Sequence, residues 1–274
     1  MQQNIFTLPA MPEMRFSVTR TALDARSSLN QNEAHIHPEC EVYINLSGNV
    51  AFAVEDRLYD VKRGSVIITM PYEYHHCIYR SNKLHEHYWI TFSAEQDQDF
   101  LKLFFDREKG INNRIDLNEE QLSALCVALD GLGDGADGLD RRISILQFFR
   151  ILMEGSRSGP AEKLDRLPGD VSVVMIYMDR NLTQELDIGA LAQAGNVSIN
   201  TLERHFKDSL GITPMVMLRN KRLFKSMMYL KSGSSVTEAA AKSGFSDYSN
   251  YIQLFRKQFG MTPGRYKKYL NKIG

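Results

Sequence analysis

The chain has 274 residues and carries 33 lysine and arginine residues against 33 aspartate and glutamate residues, so its formal net charge is zero. This length allows two domains with cores of their own. Three scattered cysteines, a start without a signal-peptide pattern and the lack of a long apolar run exclude disulfide-rich secreted proteins and membrane-spanning proteins. We therefore expect a cytoplasmic protein.

The charges are distributed unevenly along the chain. Residues 170–274 hold 15 basic and 8 acidic side chains, a balance of +7, whereas residues 1–169 hold 18 basic and 25 acidic side chains, a balance of −7. A basic half indicates contact with a polyanion such as DNA. A helical domain with solvated lysines would give a modest surplus too.

Residues 16–92 have the pattern of short strands. Apolar runs at period two, such as EVYINLSG, NVAFAV, GSVIITMP and HYWITF, are separated by turn residues. Closely spaced runs of this kind predict an antiparallel sandwich or barrel. We assign this domain to residues 1–95, including an N-terminal arm before the first strand.

Residues 96–155 have a helical pattern, with apolar residues three and four positions apart in DFLKLFFDREKG, EEQLSALCVALDGL and RRISILQFFRILMEG. The last of these helices has a wide apolar surface, so it must be covered from more than one direction. We predict that this segment joins two copies of the chain in a homodimer. The polar residues 156–170, which include Pro and Gly, are the predicted linker.

After residue 170 the chain repeats itself. The first copy, LAQAGNVSINTLERHFKDSLGITP, ends at Pro214, and the second, AAAKSGFSDYSNYIQLFRKQFGMTP, ends at Pro263. Each copy predicts a short helix, a turn at Asn196 or Gly244, and a second helix. This is the order of a helix-turn-helix motif, in which the second helix enters the major groove of DNA.

Helix-capping residues predict where these helices begin. The predicted helices cover residues 187–195, 198–210, 235–244 and 247–259, and a long helix over 213–231 connects the two motifs. At 1.5 Å per residue the connecting helix is about 27 Å long, near the ~34 Å of one DNA turn. The predicted N-caps are Asp187, Ser198, Thr213, Ser235, Asp247 and Thr262.

The repeat, S-x-x-x-L-x-R-x-F-K-x-x-x-G-x-T-P followed by G-F-S-D-x-x-x-Y-x-x-x-F-R-x-x-x-G-x-T-P-x-x-Y, resembles the AraC/XylS family of transcriptional regulators over about 100 residues. The resemblance implies that outward side chains of the two second helices contact bases. Arginine suits guanine, asparagine and glutamine suit adenine, and glutamate suits cytosine. The matching residues are Asn200, Glu203, Arg204, Tyr248, Ser249 and Gln253.

Two features of this interface leave alternatives. Arg204 could instead pair with a phosphate or a neighbouring acidic group. The family often has an arginine where this chain has Gln253, so we expect the second motif to read sequence less strongly. Basic side chains nearby are candidates for phosphate contacts, which position a protein without specifying a sequence, although plain solvation is the alternative for each. They are Lys207, Arg256, Lys257, Arg265, Lys267 and Lys268.

Histidines cluster in the strand-rich part of the chain. The pattern H-x-H-x3-E-x6-G begins at His35, and a looser second pattern ends at His75. The two patterns resemble those of cupin barrels, the usual effector-binding partners of AraC-type DNA-binding domains. Cupin enzymes hold a divalent metal at the matching positions, and imidazole with carboxylate suits Zn, Fe, Mn or Ni. The candidate metal ligands are His35, His37, Glu41 and His75.

A polar pocket for an organic effector is the alternative to a metal. In the last predicted strand His85, His87 and Trp89 share one face. The resemblance to sugar-responsive regulators implies that this strand lines the effector site, and an indole face suits a sugar ring, although Trp89 could equally close the core. The candidate effector-binding residues are His35, His37, Glu41, Tyr43, His75, His85, His87 and Trp89.

These observations predict an α+β multidomain fold. A cupin-like antiparallel β-barrel with flanking helices comes first, and an all-α domain over residues 171–274 follows, with two helix-turn-helix motifs joined by a long helix. The predicted function is a sequence-specific DNA-binding transcriptional regulator without catalytic residues, controlled by a small-molecule effector, a sugar or carbon-source metabolite. Its predicted partners are promoter DNA, the effector, a second copy of the chain and RNA polymerase.

Two alternatives remain at this point. One is a metal-dependent cupin enzyme or a metal sensor fused to a DNA-binding domain. The other is a constitutive DNA-binding protein whose barrel serves purely for dimerisation.

Overall fold

The computed structural model describes residues 15–24, 37–48, 50–79, 84–93, 99–132, 138–158 and 165–273. Within these ranges the chain forms nine strands. They are β1 (Arg15–Asp24), β2 (Cys40–Asn45), β3 (Val50–Val54), β4 (Arg57–Val61), β5 (Ser65–Thr69), β6 (His75–Tyr79), β7 (Leu84–Ser93), β8 (Arg114–Asp116) and β9 (Asp165–Arg166).

The strands form two antiparallel sheets. The first has five strands in the order β1-β7-β2-β5-β8, and the second has four in the order β6-β3-β4-β9. In the first sheet Tyr43 of β2 lies opposite Trp89 of β7, and in the second Val54 of β3 lies opposite His75 of β6. The predicted antiparallel strand architecture is therefore confirmed.

Helices flank the sheets and make up the regular structure of the described residues after Arg166. A 3-10 turn (Asp99–Leu101) precedes the single-turn helix α1. The helices are α1 (Lys102–Phe105), α2 (Glu119–Asp130), α3 (Gly138–Ser158), α4 (Gly169–Arg180), α5 (Ile188–Ala194), α6 (Ile199–Leu210), α7 (Pro214–Lys231), α8 (Val236–Lys242), α9 (Tyr248–Phe259) and α10 (Pro263–Ile273). Among the described residues no helix is long and apolar enough to cross a membrane.

Strand β2 separates two cores of the sheet domain, by which we mean the described residues up to Arg166. Tyr43 points into a cluster between the two sheets, where it meets Phe52. Val42 and Ile44 point the other way and pack with side chains of α2 and α3. Successive side chains of a strand face opposite sides, and burial of each such apolar side chain contributes about 1.5–3 kcal/mol. The space between the sheets is thus lined by odd-numbered residues of β2.

The helical domain, residues 167–273, has a third core and packs on the outer face of the second sheet. Ala53 of β3 and Tyr74, just before β6, are fully buried in the same apolar cluster as Leu202 and Phe206 of α6. The inner face of this sheet belongs to the cluster between the sheets. The second sheet therefore lies between the interior of the sheet domain and the helical domain.

Some elements differ from the sequence-based expectation. The sheets extend beyond residue 95, since β8 and β9 join them. The first of the three helices expected in residues 96–155 is reduced to a 3-10 turn and one α-helical turn. Residues 156–170, the predicted linker, include the end of α3, all of β9 and the start of α4. The N-terminal arm lies outside the described residues.

Candidate DNA interface and barrel site

The first helix-turn-helix motif consists of α5 and α6. The side chains of Asp187 and Ser198 cap the two helices by accepting hydrogen bonds from Ala190 N and Thr201 N, which satisfies amide groups that have no partner within the helix. Between the helices Asn196 adopts a left-handed backbone with φ 53°. Asparagine tolerates this conformation better than most residues, so the predicted caps and turn are confirmed.

Helix α6 has one buried face and one exposed face. Leu202 and Phe206, at i and i+4, are fully buried in the helical core. The three predicted base-contacting residues of the motif lie on the exposed face, and so does the predicted phosphate contact Lys207. The exposed base candidates are Asn200, Glu203 and Arg204.

The second motif, α8 and α9, has the same local chemistry. Ser235 and Glu238 form a reciprocal capping box at the start of α8. The turn is made by Gly244 at φ 88°, where a Cβ atom would collide with the carbonyl oxygen of Leu182. Glycine is therefore required here both by the backbone conformation and by the close approach of the α4–α5 loop.

Helix α9 also presents a polar face. Tyr251 and Phe255 are fully buried, whereas the predicted base contacts Tyr248, Ser249 and Gln253 are exposed. The predicted phosphate contacts Arg256 and Lys257 are exposed on the last turns of this helix. Cationic groups at a helix C-terminus interact favourably with its dipole, so their position has a structural reason as well.

Helix α7 connects the two motifs. Thr213 caps it by accepting from Val216 N, and Pro214 occupies the first turn, as predicted. Arg222 in the middle of α7 donates to the carbonyl oxygens of Leu182 (2.9 Å) and Gln184 (2.6 Å) in the α4–α5 loop. These bonds hold the first motif on the connecting helix.

The remaining predicted phosphate contacts lie on α10, and they are not equivalent. Arg265 and Lys268 are exposed. Lys267 donates from Nζ to the carbonyl oxygens of Gly233 (3.1 Å) and Ser234 (2.8 Å) after the end of α7. Its ammonium group is therefore engaged within the domain, which weighs against its predicted role at phosphate.

In the sheet domain His37, Glu41 and His75 come together. One potential ligand atom from each lies within 4.8 Å of the others. His37 Nε2 is 2.8 Å from Glu41 Oε2, and His75 Nε2 is 3.2 Å from Glu41 Oε1. Glu41 and His75 are buried, and His37 is half-buried. His35, the fourth predicted member, lies outside the described residues.

The outer nitrogens of both imidazoles have acceptors of their own. His75 Nδ1 lies 2.8 Å from the carbonyl oxygen of Glu73, which can only accept, so this nitrogen carries the proton. His37 Nδ1 is 3.3 Å from Glu39 Oε2. Burial lowers the pKa of His37, but the Glu39 and Glu41 carboxylates outweigh it and raise this pKa to about 9. The arrangement stabilises a positive charge beside Glu41.

A second group of predicted effector residues is aromatic. The rings of Tyr43 and His87 stack with centroids 4.9 Å apart, and Trp89 lies edge-on to both at 5.7 and 5.9 Å. Burial, with His85 adding to it, lowers the pKa of His87 to about 4, so this imidazole is neutral at pH 7. A neutral histidine both donates and accepts a hydrogen bond.

Phe52 joins the two groups. Its ring centroid lies 5.1 Å from that of Tyr43 and 6.3 Å from that of His75. His85 lies toward the other end of β7, where its ring meets Tyr79 at 4.9 Å. Apart from His35, the predicted effector residues therefore line one continuous region between the sheets.

Comparison with known families identifies the chain. A family profile described as an AraC-like ligand binding domain matches residues 18–157, which is 140 of the 274 residues. A profile described as a helix-turn-helix domain matches residues 191–269. The chain belongs to the AraC family. The profile boundaries place the histidine and aromatic groups in the ligand-binding region and both candidate reading helices in the helix-turn-helix region.

Among curated proteins, the AraC-family chain is similar to the "HTH-type transcriptional activator RhaS" of Escherichia coli O139:H28 (strain E24377A / ETEC). The two are 28% identical over 154 residues, 56% of this chain and 54% of the relative. RhaS of Escherichia coli strain K12 / DH10B gives the same identity and coverage. The chain thus spans about half the length of the curated relatives it matches.

Among solved structures, ToxT from Vibrio cholerae O395 is 13% identical, covers 94% of this chain and 98% of its own, and has a TM-score of 0.40. The DNA-binding domain of AdpA in complex with a target DNA is 24% identical and has a TM-score of 0.37. It covers 39% of this AraC-family chain and 96% of its own.

Two ion pairs of the AraC-family chain, each with at least one buried side chain, were not predicted from its sequence. Glu73 pairs with Arg107 beside the His75 region, and Lys221 of α7 pairs with Asp179 of α4. Lys221 had a recognisable signal, because it lies three residues after Leu218 and three before Phe224 in an apolar stripe. A charged side chain in such a stripe is buried only with a partner.

Proposed function

We propose that this AraC-family chain is a sequence-specific DNA-binding transcriptional regulator, controlled by a small molecule that binds in the sheet domain. The observation that carries the proposal is the pair of helices α6 and α9. Each buries an apolar i, i+4 pair and exposes polar side chains that match base edges. The 18-residue helix α7 between the motifs is about 27 Å long, near the ~34 Å repeat of DNA.

For the effector we propose a sugar or carbon-source metabolite. The stacked rings of Tyr43 and His87, with Trp89 beside them, offer apolar faces and hydrogen-bonding edges within one group. Such a combination suits a polyhydroxylated ring, which has an apolar face and a polar rim. Trp89 is half-buried while Tyr43 and His87 are buried, so this group reaches the surface at Trp89.

The proposed division of labour follows the predicted domains. Residues 1–95 bind the effector, residues 96–155 dimerise the chain and residues 171–274 bind DNA, while the predicted linker, residues 156–170, contributes β9 to the second sheet. Exposed apolar side chains on α2 and α3 support dimerisation, because surface patches of this kind mark association sites. They are Val127 (67% exposed), Leu139 (66%), Ile143 (44%) and Leu146 (50%). Promoter DNA, a second copy and RNA polymerase are the proposed macromolecular partners.

The direct test combines duplex selection with tryptophan fluorescence. Selection from random duplexes with the full chain is expected to enrich one sequence. Because Trp89 is the sole tryptophan of the chain, a panel of monosaccharides and sugar acids can be screened by its emission. A compound that changes the emission is expected to change the affinity for the selected duplex, since ligand and DNA binding are linked.

His87→Phe sharpens this test. It keeps an aromatic ring but removes both ring nitrogens, so we expect about a tenfold loss of ligand affinity from one lost hydrogen bond, with ligand-free DNA affinity unchanged. His205→Phe, the same substitution in the helical domain, is the matched control and should leave ligand affinity intact. Enrichment of no sequence, or a binder without any effect on DNA affinity, would overturn the proposal.

A metal-responsive regulator is a second candidate, favoured by the His37, Glu41 and His75 cluster. His37 Nε2 and His75 Nε2 both face the carboxylate of Glu41, and ligand atoms from the three residues lie within 4.8 Å of one another. Acceptors on the outer nitrogens of both imidazoles are typical of histidines that bind metals. The three residues fit a Zn, Fe, Mn or Ni ion, which when bound would offer a positive centre to an oxygen atom of a ligand.

Metal removal and titration test this candidate. After dialysis against chelator, the protein is expected to bind one equivalent of Zn²⁺ per chain by calorimetry. Glu41→Gln keeps the shape of the side chain but removes its charge, and it should weaken Zn²⁺ binding at least tenfold. Glu39→Gln changes only the group that faces the outer nitrogen of His37, so it should weaken Zn²⁺ binding less. The His205→Phe variant should bind like the wild type. Substoichiometric binding, or equal affinity of Glu41→Gln and wild type, excludes a metal-responsive site here.

A further inference from the structure

Strand β6 contacts both the candidate ligand region and the helical domain. His75 faces Glu41 between the sheets, whereas its neighbours Tyr74 and His76 face outward. Tyr74 is fully buried in the helical core, and His76 Nε2 would lie 3.1 Å from a Cβ atom built on Gly211, the residue that ends α6. A shift of this short segment therefore acts on both sides of the sheet at once.

A buried lysine reaches across the same boundary. Lys221 of α7 is 7% exposed, and its Nζ lies 2.8 and 3.0 Å from the two carboxylate oxygens of Asp179 in α4. The same Nζ is 3.7 Å from Glu55 Oε2 in the β3–β4 turn of the sheet domain. One ammonium group thus joins a carboxylate of each domain.

Glu55 is itself tied to β6. Its backbone N donates to the carbonyl oxygen of Tyr74 (2.9 Å), and its Oε1 accepts from Tyr74 N (2.9 Å). One carboxylate oxygen of Glu55 therefore holds the residue before His75, while the other faces Lys221. This gives a continuous route of contacts from Glu41 through His75, Tyr74 and Glu55 to Lys221.

The two carboxylates hold Lys221 unequally. Burial lowers the pKa of Lys221, but Glu55 and Asp179 outweigh it and leave this pKa raised. Burial raises the pKa of Glu55 in spite of Lys221 and Lys109. If the domains part, Lys221 keeps Asp179 at hydrogen-bond distance, while Glu55 regains water. The contact across the domains is therefore the weaker of the two, since it is longer, 3.7 Å against 2.8 Å, and the burial of Glu55 opposes its charge.

From these contacts we infer that the Glu55–Lys221 pair is a latch that holds the helical domain on the outer face of β6. The closed latch lowers the affinity of the helical domain for DNA. A ligand that contacts His75 changes the fraction of molecules in which the latch is closed. The inference rests on the proposed function and concerns its regulation. With the latch closed, the sheet domain stays against the DNA-binding domain, and residues 1–169 of the sequence, to which the sheet domain belongs, have a charge balance of −7. An acidic neighbour repels phosphate and reduces the attraction that dominates DNA affinity.

Glu55→Gln tests the latch in the full-length chain. The amide oxygen can still accept from Tyr74 N, but the charge facing Lys221 is removed. Without any added ligand, we expect this variant to bind the selected duplex at least about fivefold more tightly than the wild type, within the usual range of allosteric coupling. The gain should shrink as salt is raised, because it arises from repulsion of phosphates.

Asp56→Asn is the matched control, since it removes the adjacent charge of the same turn, which pairs with Arg57 at 3.4 Å. Its DNA affinity should equal that of the wild type. Hydrogen exchange gives a measurement that does not involve DNA. The backbone amides of residues 75–79 should exchange faster in Glu55→Gln than in the wild type or in Asp56→Asn. Unchanged exchange, or unchanged or weaker DNA binding by Glu55→Gln, overturns the latch. If the wild type itself enriches no duplex, the proposed function fails, and exchange alone decides the latch.

Discussion

Replacing Arg107 with methionine is expected to lower the free energy of unfolding by about 3–5 kcal/mol, because one partner of a buried ion pair is removed. Glu73 is fully buried and accepts from Arg107 Nη1 (2.8 Å) and Nη2 (2.6 Å). Methionine has a side chain of similar length but cannot donate a hydrogen bond. The carboxylate of Glu73 then keeps only the hydrogen bonds from the backbone amides of Gly110 and Met70. Two hydrogen bonds do not compensate a buried charge.

The loss should depend on pH. In the wild type burial raises the pKa of Glu73, but Arg107 and the two amide groups outweigh it and leave this pKa lowered. The stabilisation is therefore present above the unfolded-state pKa and is lost as pH falls through the folded-state value. In Arg107→Met burial dominates and the pKa rises, so protonation relieves the variant. Urea unfolding should show a large difference between variant and wild type at pH 7 and a smaller one below pH ~4.

Arg63→Met is the matched control for this substitution. Arg63 and Glu119 also form an ion pair, at 3.2 Å, but their side chains are 53% and 74% exposed. Such pairs contribute about 0–1 kcal/mol because water and salt screen them. Similar losses in Arg63→Met and Arg107→Met, or a difference that stays constant with pH, would contradict the assignment to the buried Glu73 charge.

Replacing Arg204 with alanine is expected to relax the preference for one base pair by about 1–3 kcal/mol, the usual value of a bidentate contact to guanine. Arg204 lies on the exposed face of α6, opposite the buried Leu202 and Phe206. The measurement compares the affinity for the selected duplex with that for duplexes changed at single positions. The variant should lose discrimination at one position and keep it elsewhere.

Lys268→Ala provides the contrast. Lys268 is exposed on α10, and a lost phosphate contact weakens all duplexes alike and reduces the slope of log affinity against log salt by ~0.9. If Arg204→Ala instead shows this uniform loss, Arg204 contacts a phosphate. If it changes neither affinity nor preference, α6 is not the reading helix and the proposed interface is wrong.

The helix-turn-helix motifs were predictable almost to the residue because their signals are local. Ser198 caps α6 and Thr213 caps α7 through amide groups three residues away. The turns at Asn196 and Gly244 need left-handed backbone, which few residue types adopt cheaply. The capping hydrogen bonds and the backbone conformation of a turn involve residues within about four positions, so a local sequence pattern is enough to predict them, although the close approach of Leu182 to Gly244 was not predictable in this way.

Features that join distant parts of the chain were not predictable. Strands β8 and β9 have three and two residues, too few for any period-two signal. Lys267 was predicted to contact phosphate, yet it donates to carbonyl groups 33 and 34 residues earlier. The Glu55–Lys221 contact spans both domains. Each depends on how remote segments meet, which a sequence pattern does not record.

The short strand β9 limits how far the helical domain can move away from the sheet domain. It is bonded to β4 up to Arg166, and α4 begins at Gly169, so Leu167 and Pro168 are the sole residues between them. The three Cα–Cα steps from Arg166 to Gly169 span at most ~11 Å, and Leu167 is buried. Any movement of the helical domain relative to the sheet domain is thus a rotation about this short connection. If two copies bind DNA side by side, as proposed, they should accept only a narrow range of distances between their two binding sites.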